Sequence, residues 1–249
     1  MTRTSLLVFM AISILTAPGR SVAETSQQAL VDSGNRLAAL LRAGRSVISE
    51  NQALINDPDI ADKGLTPEVF LDQVVAVFEA RNGAPPLGPD LTEMQARLTE
   101  AQLAAMAGVI ADAQGLINTE GLGFKGFIPA VFARLTNERF GEAVGGLASV
   151  KVTAPPELVR NRTARPDPWE KAVIVERFLA PDWVKGAAYF EETDGADGPA
   201  FRMLIPEYYS PSCLSCHGQP KGEVDVTGFP KEGGAEGDLG GAISITLKP

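Results

Sequence analysis

The sequence predicts an α+β fold in which a helical amino-terminal half packs on a small antiparallel sheet. Apolar residues recur at helical spacing from about 26 to 142. After residue 149 the pattern shortens to runs of four to eight residues rich in Val, Ile, Phe and Leu. Hydrophobic residues make up 45% of the 249, without low-complexity stretches, which is enough for one sizeable core.

From about Ser26 to Ile55, Leu30, Leu37, Leu40, Leu41, Ile48 and Leu54 define one long amphipathic helix that stops before Asp57-Pro58. Thr66-Pro67-Glu68 reads as an N-cap followed by proline in the first turn, with a buried stripe of Val69, Phe70, Val74, Val77 and Phe78 ending at Asn82-Gly83. The proline-rich run from Ala84 to Pro89 is a loop, and Asp90 is placed to cap a third helix carrying Leu91, Met94, Leu98, Met106, Val109 and Ile110. A fourth helix spans Phe127 to Glu142, with Pro129 in its first turn.

Four strands are expected at Ser149–Thr153, Lys185–Glu191, Phe201–Pro206 and Gly240–Leu247. A helix opened by Pro168-Trp169-Glu170 and running to Phe178 separates the first two. A glycine-rich loop, Gly218 to Gly237, precedes the last. This order suggests a small antiparallel sheet covered on one face.

Residues 1–23 read as a secretory signal peptide. Arg3 gives a positive start, Leu6 to Ala17 is mostly apolar, and Ser21-Val22-Ala23 supplies the small residues before a cleavage point. A retained anchor helix is the alternative, although the run is short for a bilayer span. The mature chain, 24–249, is expected to be one domain, mainly helical over 24–145 and carrying the sheet over 146–249. Loss of Arg3 and Arg20, with no acidic residue beside them, takes the net charge from −9 to −11. Such a balance disfavours nucleic acid, which needs clustered cations, and would suit a basic partner protein.

Both cysteines and the only histidine of the chain lie in Cys213-Leu214-Ser215-Cys216-His217. Two thiols spaced in this way can each add to one vinyl group of a haem, and the adjoining imidazole then reaches the iron. One covalent c-type haem is therefore expected, on Cys213 and Cys216, with His217 as proximal ligand. A thioredoxin-like redox pair wants its first thiol at a helix N-terminus in a βαβ unit, whereas here the motif follows Tyr208-Tyr209-Ser210-Pro211. Structural zinc wants four ligands, and Cys and His together supply three. Export agrees with haem attachment, since exported thiols lie outside the reducing cytoplasm.

Three segments resemble the Tll-type haem domain family: Gly126-Phe127-Ile128-Pro129-Ala130-Val131-Phe132, Arg160-Asn161 with Pro166-Asp167-Pro168-Trp169-Glu170, and Cys213 to Gly218 with Gly240-Gly241-Ala242-Ile243-Ser244 after it. The likeness spans almost the whole mature chain. It implies a helical part joined to a PAS-like sheet that carries one c-type haem, and a role in redox or ligand sensing. Where the family usually continues Arg-Asn with Pro-X-Asn, this chain has Arg162 and Ala164. Nothing follows the last strand beyond Pro249, so a signal is expected to pass through a separate partner.

The sixth iron site decides the role. No second imidazole or spare thiolate exists, and Met94, Met106 and Met203 remain, of which Met203 lies on the strand leading into the motif. A Met/His pair would raise the potential and favour electron transfer, whereas an open position would favour a small gas. Met203 is the candidate distal ligand, with Lys, Tyr and water as other options. Arg160, in the basic cluster with Arg162 and Arg165, is the candidate propionate contact. Phe127, Ile128 and Phe132 are candidates for the haem pocket, with ordinary core packing as the alternative.

The leading expectation is an exported monohaem protein that exchanges electrons with a redox partner protein or reports redox state, without catalysis of its own. A haem-based sensor of nitric oxide, carbon monoxide or oxygen is the alternative. A peroxidase would need a distal acid/base, which no motif marks.

Overall fold

A computed structural model describes residues 22–195 and 198–248. Of the expected signal peptide at 1–23, residues 1–21 lie outside the described residues. Helix α1 runs from Val22 to Glu50, and α2 covers Gln52–Ile55. The single helix expected from 26 to 55 is thus divided at Asn51. Asn51 takes φ −90° and ψ 6° there, and its side-chain amide donates to the Val47 carbonyl and to Gln73.

Helix α3 is Pro67–Asn82, opened by the Thr66 hydroxyl, which accepts from the Val69 N–H, and closed by Gly83 at φ 77°. Helix α4, Glu93–Ile117, begins later than expected. Its cap is Thr92 rather than Asp90, because Thr92 and Gln95 form the reciprocal box that pairs two end N–H groups. Helix α5 is Pro129–Ala143. Together α1, α3, α4 and α5 bury Leu37, Leu40, Leu41, Phe70, Met106, Phe132 and Phe140 in one core.

The sheet contains β1 (Ala148–Thr153), β2 (Tyr189–Gly195), β3 (Gly198–Tyr208) and β4 (Leu239–Leu247), antiparallel throughout and ordered β1-β4-β3-β2. Strand β2 starts at Tyr189, not Lys185. Gly186 takes φ 88° in a turn closed by the Ala187 N–H on the Val184 carbonyl, which occupies the expected first residues.

Pairing of Phe201 with Leu247, Met203 with Ile245 and Ile205 with Ile243 sends these side chains to the face beneath α1 and α5. Leu204 and Ala242 point the other way. They are covered by Val173 of α6 (Pro168–Val173) and by Ile174 and Phe178 of the wider, π-type turn that continues it. Both faces of the sheet are therefore covered, where the sequence suggested one. Arg42 and Arg45 of α1 clamp Glu207 at the bulged end of β3, at 2.6 and 2.8 Å, and this fixes the strand where it delivers the chain to the thiol segment.

Candidate functional site

Beyond β3 the backbone tightens into a 3₁₀ turn at Pro211–Cys213 and a single helical turn, α7, at Leu214–His217. Residues three and four apart in such a segment share a side, so Cys213, Cys216 and His217 emerge together. Both thiols are unbridged and half-buried. The Cys213 sulfur lies 3.3 Å from the Ser210 hydroxyl, and the Cys216 sulfur 3.8 Å from that of Ser215. At Gly218 a Cβ would fall 2.5 Å from the Leu214 carbonyl oxygen, so the chain can leave the turn there only as glycine.

The loop that follows folds back over the motif. The N–H of Gly234 donates to the His217 carbonyl at 2.8 Å, that of Gly233 to Gly218 at 3.1 Å, and that of Gly237 to Tyr209 at 2.8 Å. This lacing brings Glu232 to the imidazole, with Oε2 2.8 Å from Nδ1 of His217. Tyr209 stacks on the same ring, with centroids 5.1 Å apart and planes 19° from parallel. The phenol fits because Gly234 and Gly240 press against its face, where any Cβ would collide with the ring. Nδ1 is thereby occupied. Nε2 makes no hydrogen bond among the described residues and is the atom available to a ligand.

Arg160 joins these parts. Its Nε donates to Glu232 Oε1 at 2.7 Å and its Nη1 to Asp225 Oδ2 at 2.6 Å. Nη2 donates to the Cys216 carbonyl at 2.8 Å and to Glu232 Oε2 at 3.0 Å. Asp225 is itself turned inward by Thr227 and by the Phe229 N–H, all on Oδ1. Burial pushes the Asp225 carboxyl up, but the hydrogen bonds from Thr227 and Arg160 outweigh it and hold it well below the ordinary range. The same balance lowers Glu232, where Arg160 and His217 oppose burial. Burial tends to lower the Arg160 guanidinium, and its two carboxylate partners reverse this. Tyr209 is pushed up to about 12, first by burial and then by Glu232.

The model of the Tll0287-like family matches residues 23–248. The chain belongs to the Tll0287-like family. Among curated proteins and solved structures nothing matches it.

The expected site residues of this Tll0287-like chain fall in three different surroundings. Arg160 lies at the motif, where its N–H donors bond to Asp225, Glu232, Thr227 and the Cys216 carbonyl, so it braces the loop from inside the protein. Phe127 and Phe132 do not line the thiol segment. Phe132 is wholly buried among helices, 5.2 Å from the Phe70 ring and 6.5 Å from that of Phe127, and Ile128 is the half-buried residue before α5. The two phenyl rings pack in the helical core.

Met203 is also in that core. Its sulfur packs on Gly34 of α1, in the face of the sheet below the helix. Six residues of chain separate it from Tyr209, roughly 20 Å at the usual strand rise. A cavity of about 580 Å³ does open next to Met203, between α1 and the β2–β3 edge, with Val31, Asn35, Phe190 and Tyr208 in its wall. Cys213, Cys216 and His217 are not part of that wall.

Glu232 and Asp225 went unnoticed in the sequence. Asp225-Val226-Thr227-Gly228 carries the turn signature that Asp225 adopts, but nothing local marks its second oxygen as a partner for Arg160. Trp169 and Tyr189 sit on the opposite face of the sheet, both hydrogen-bonded to Glu191.

Proposed function

We propose that this chain is an exported monohaem c-type protein that carries electrons or reports redox state. Cys213 and Cys216 hold the haem through thioether bonds, and His217 binds its iron. Each bond forms by addition: sulfur joins one vinyl carbon, the thiol hydrogen goes to the other, and nothing leaves. Bound haem supplies one-electron iron chemistry.

One observation carries the reading. The only imidazole of the chain has Nδ1 tied to a carboxylate and Nε2 unengaged, one residue beyond two unbridged thiols on the same side of the segment. Metal-binding histidines characteristically donate their second nitrogen in this way, because it fixes both tautomer and ring orientation.

Expression with a c-type maturation system tests the proposal. Haem is expected to stay with the polypeptide after denaturation, and Cys213→Ser or Cys216→Ser to abolish full attachment. A colourless product with two titratable thiols would sink it.

The placement of Met203 favours a second reading, a sensor of a diatomic gas that signals through a partner. With that sulfur packed on Gly34, Met203 is engaged in the helical core rather than offered as a sixth ligand. Carbon monoxide added to the reduced protein separates the two. A large Soret shift supports the sensor, and an unchanged spectrum supports the electron carrier.

A further inference from the structure

Glu232 is chemically more than a loop carboxylate. It is the one ionisable group on Nδ1 of His217, and it is gripped from behind by two N–H bonds of Arg160, at 2.7 and 3.0 Å, so neither oxygen is free to swing away. The same guanidinium holds the Cys216 carbonyl and Asp225, which ties the carboxylate, the attachment turn and the loop into one unit. Two carboxylates face one guanidinium, so the unit keeps one net negative charge beside the imidazole.

We propose that Glu232, locked by Arg160, is the positioning residue of the His217 ligand and sets the redox poise of the site in favour of the oxidised iron. This rests on the haem reading above. A carboxylate accepting the Nδ1 proton increases the electron density that the ring donates through Nε2. The residual negative charge acts in the same direction, since it stabilises the ion of higher charge. Arg160 acts one step further back: it touches neither nitrogen of the ring and works by fixing the direction of the Glu232 oxygens.

The test is potentiometric titration of the haem-loaded full chain and its variants. Glu232→Gln keeps the shape and removes the charge. It is expected to shift the oxidised-to-reduced balance at a given potential about tenfold toward the reduced form, a rise of about 59 mV for a one-electron couple. Glu223→Gln makes the same charge change on the exposed part of the loop, where Glu223 pairs with Lys231, and is expected to move the balance less than twofold. Equal shifts in the two variants, or none in Glu232→Gln, would overturn the proposal. Should Glu232→Gln fail to mature, Arg160→Lys decides. It retains the charge but loses the two-pronged grip, and a shift of about threefold toward the reduced form is expected, an unchanged potential counting against the proposal. Wild-type protein without covalent haem would instead defeat the underlying reading, an outcome distinct from either of these.

Discussion

Phe132 and His217 stand at the centres of two regions built on different physics. Around Phe132 lie Phe70 of α3, Phe127 just ahead of its own helix and Gly44 of α1, held by apolar burial, with each element legible from its own spacing. Around His217 there is little apolar surface. A loop of some twenty residues is held by backbone lacing and by one arginine shared among two carboxylates and a carbonyl. Apolar packing is spread over many individually weak contacts, whereas the second region concentrates its order in a few directional bonds. That concentration is what holds an imidazole at a set angle.

The contrast can be broken most forcefully in the helical half. Phe132→Ala removes a fully buried ring and is expected to cost about 3–5 kcal/mol in denaturant unfolding, while leaving the Glu232–His217 bond in place. Arg160→Ala should come next, at roughly 3 kcal/mol, because it strands the buried Asp225 carboxylate and releases Glu232. Unlike the first variant, it should also raise protease cleavage within 218–238, which limited proteolysis would show.

A pH series sharpens the comparison. Asp225 and Glu232 are depressed in the folded protein, so their stabilisation is complete above the ordinary carboxylate range near pH 4 and is lost as pH falls toward their folded values. Tyr209, at about 12, gives the opposite arm: its contribution is intact below about pH 10 and disappears as pH rises through 12. Acid unfolding followed by circular dichroism should therefore be less steep in Asp225→Asn. An unaltered slope would mean that Asp225 is not the group responsible. The smallest effect is expected at Thr92→Ala, about 1 kcal/mol from the lost capping box, with thermal unfolding as the measure.

Much of the fold was legible because its signals are local. Thr66, Pro67 and Gly83 bound α3 through contacts no more than four residues long, and the Pro168-Trp169-Glu170 helix start is likewise self-contained. Asp90 misled because capping depends on a reciprocal partner three residues on, and Gln95 supplies it to Thr92. Asn51 misled because its backbone turns locally out of helical geometry while its side chain reaches Gln73, twenty-two residues away. At the site, the thiols and imidazole stand out as scarce residues gathered together. Glu232 does not, since it meets His217 across fifteen residues and Arg160 across seventy-two.

The amino-acid order alone determined which atoms are offered for chemistry, two sulfurs and one imidazole in five residues, and which stretches become helix or strand, because both follow from neighbours along the chain. Only the folded chain decided that Phe127, Phe132 and Met203 serve the helical core and that Arg160 braces the loop. Those roles depend on what burial brings together, and a buried guanidinium pairs with the carboxylates it meets there.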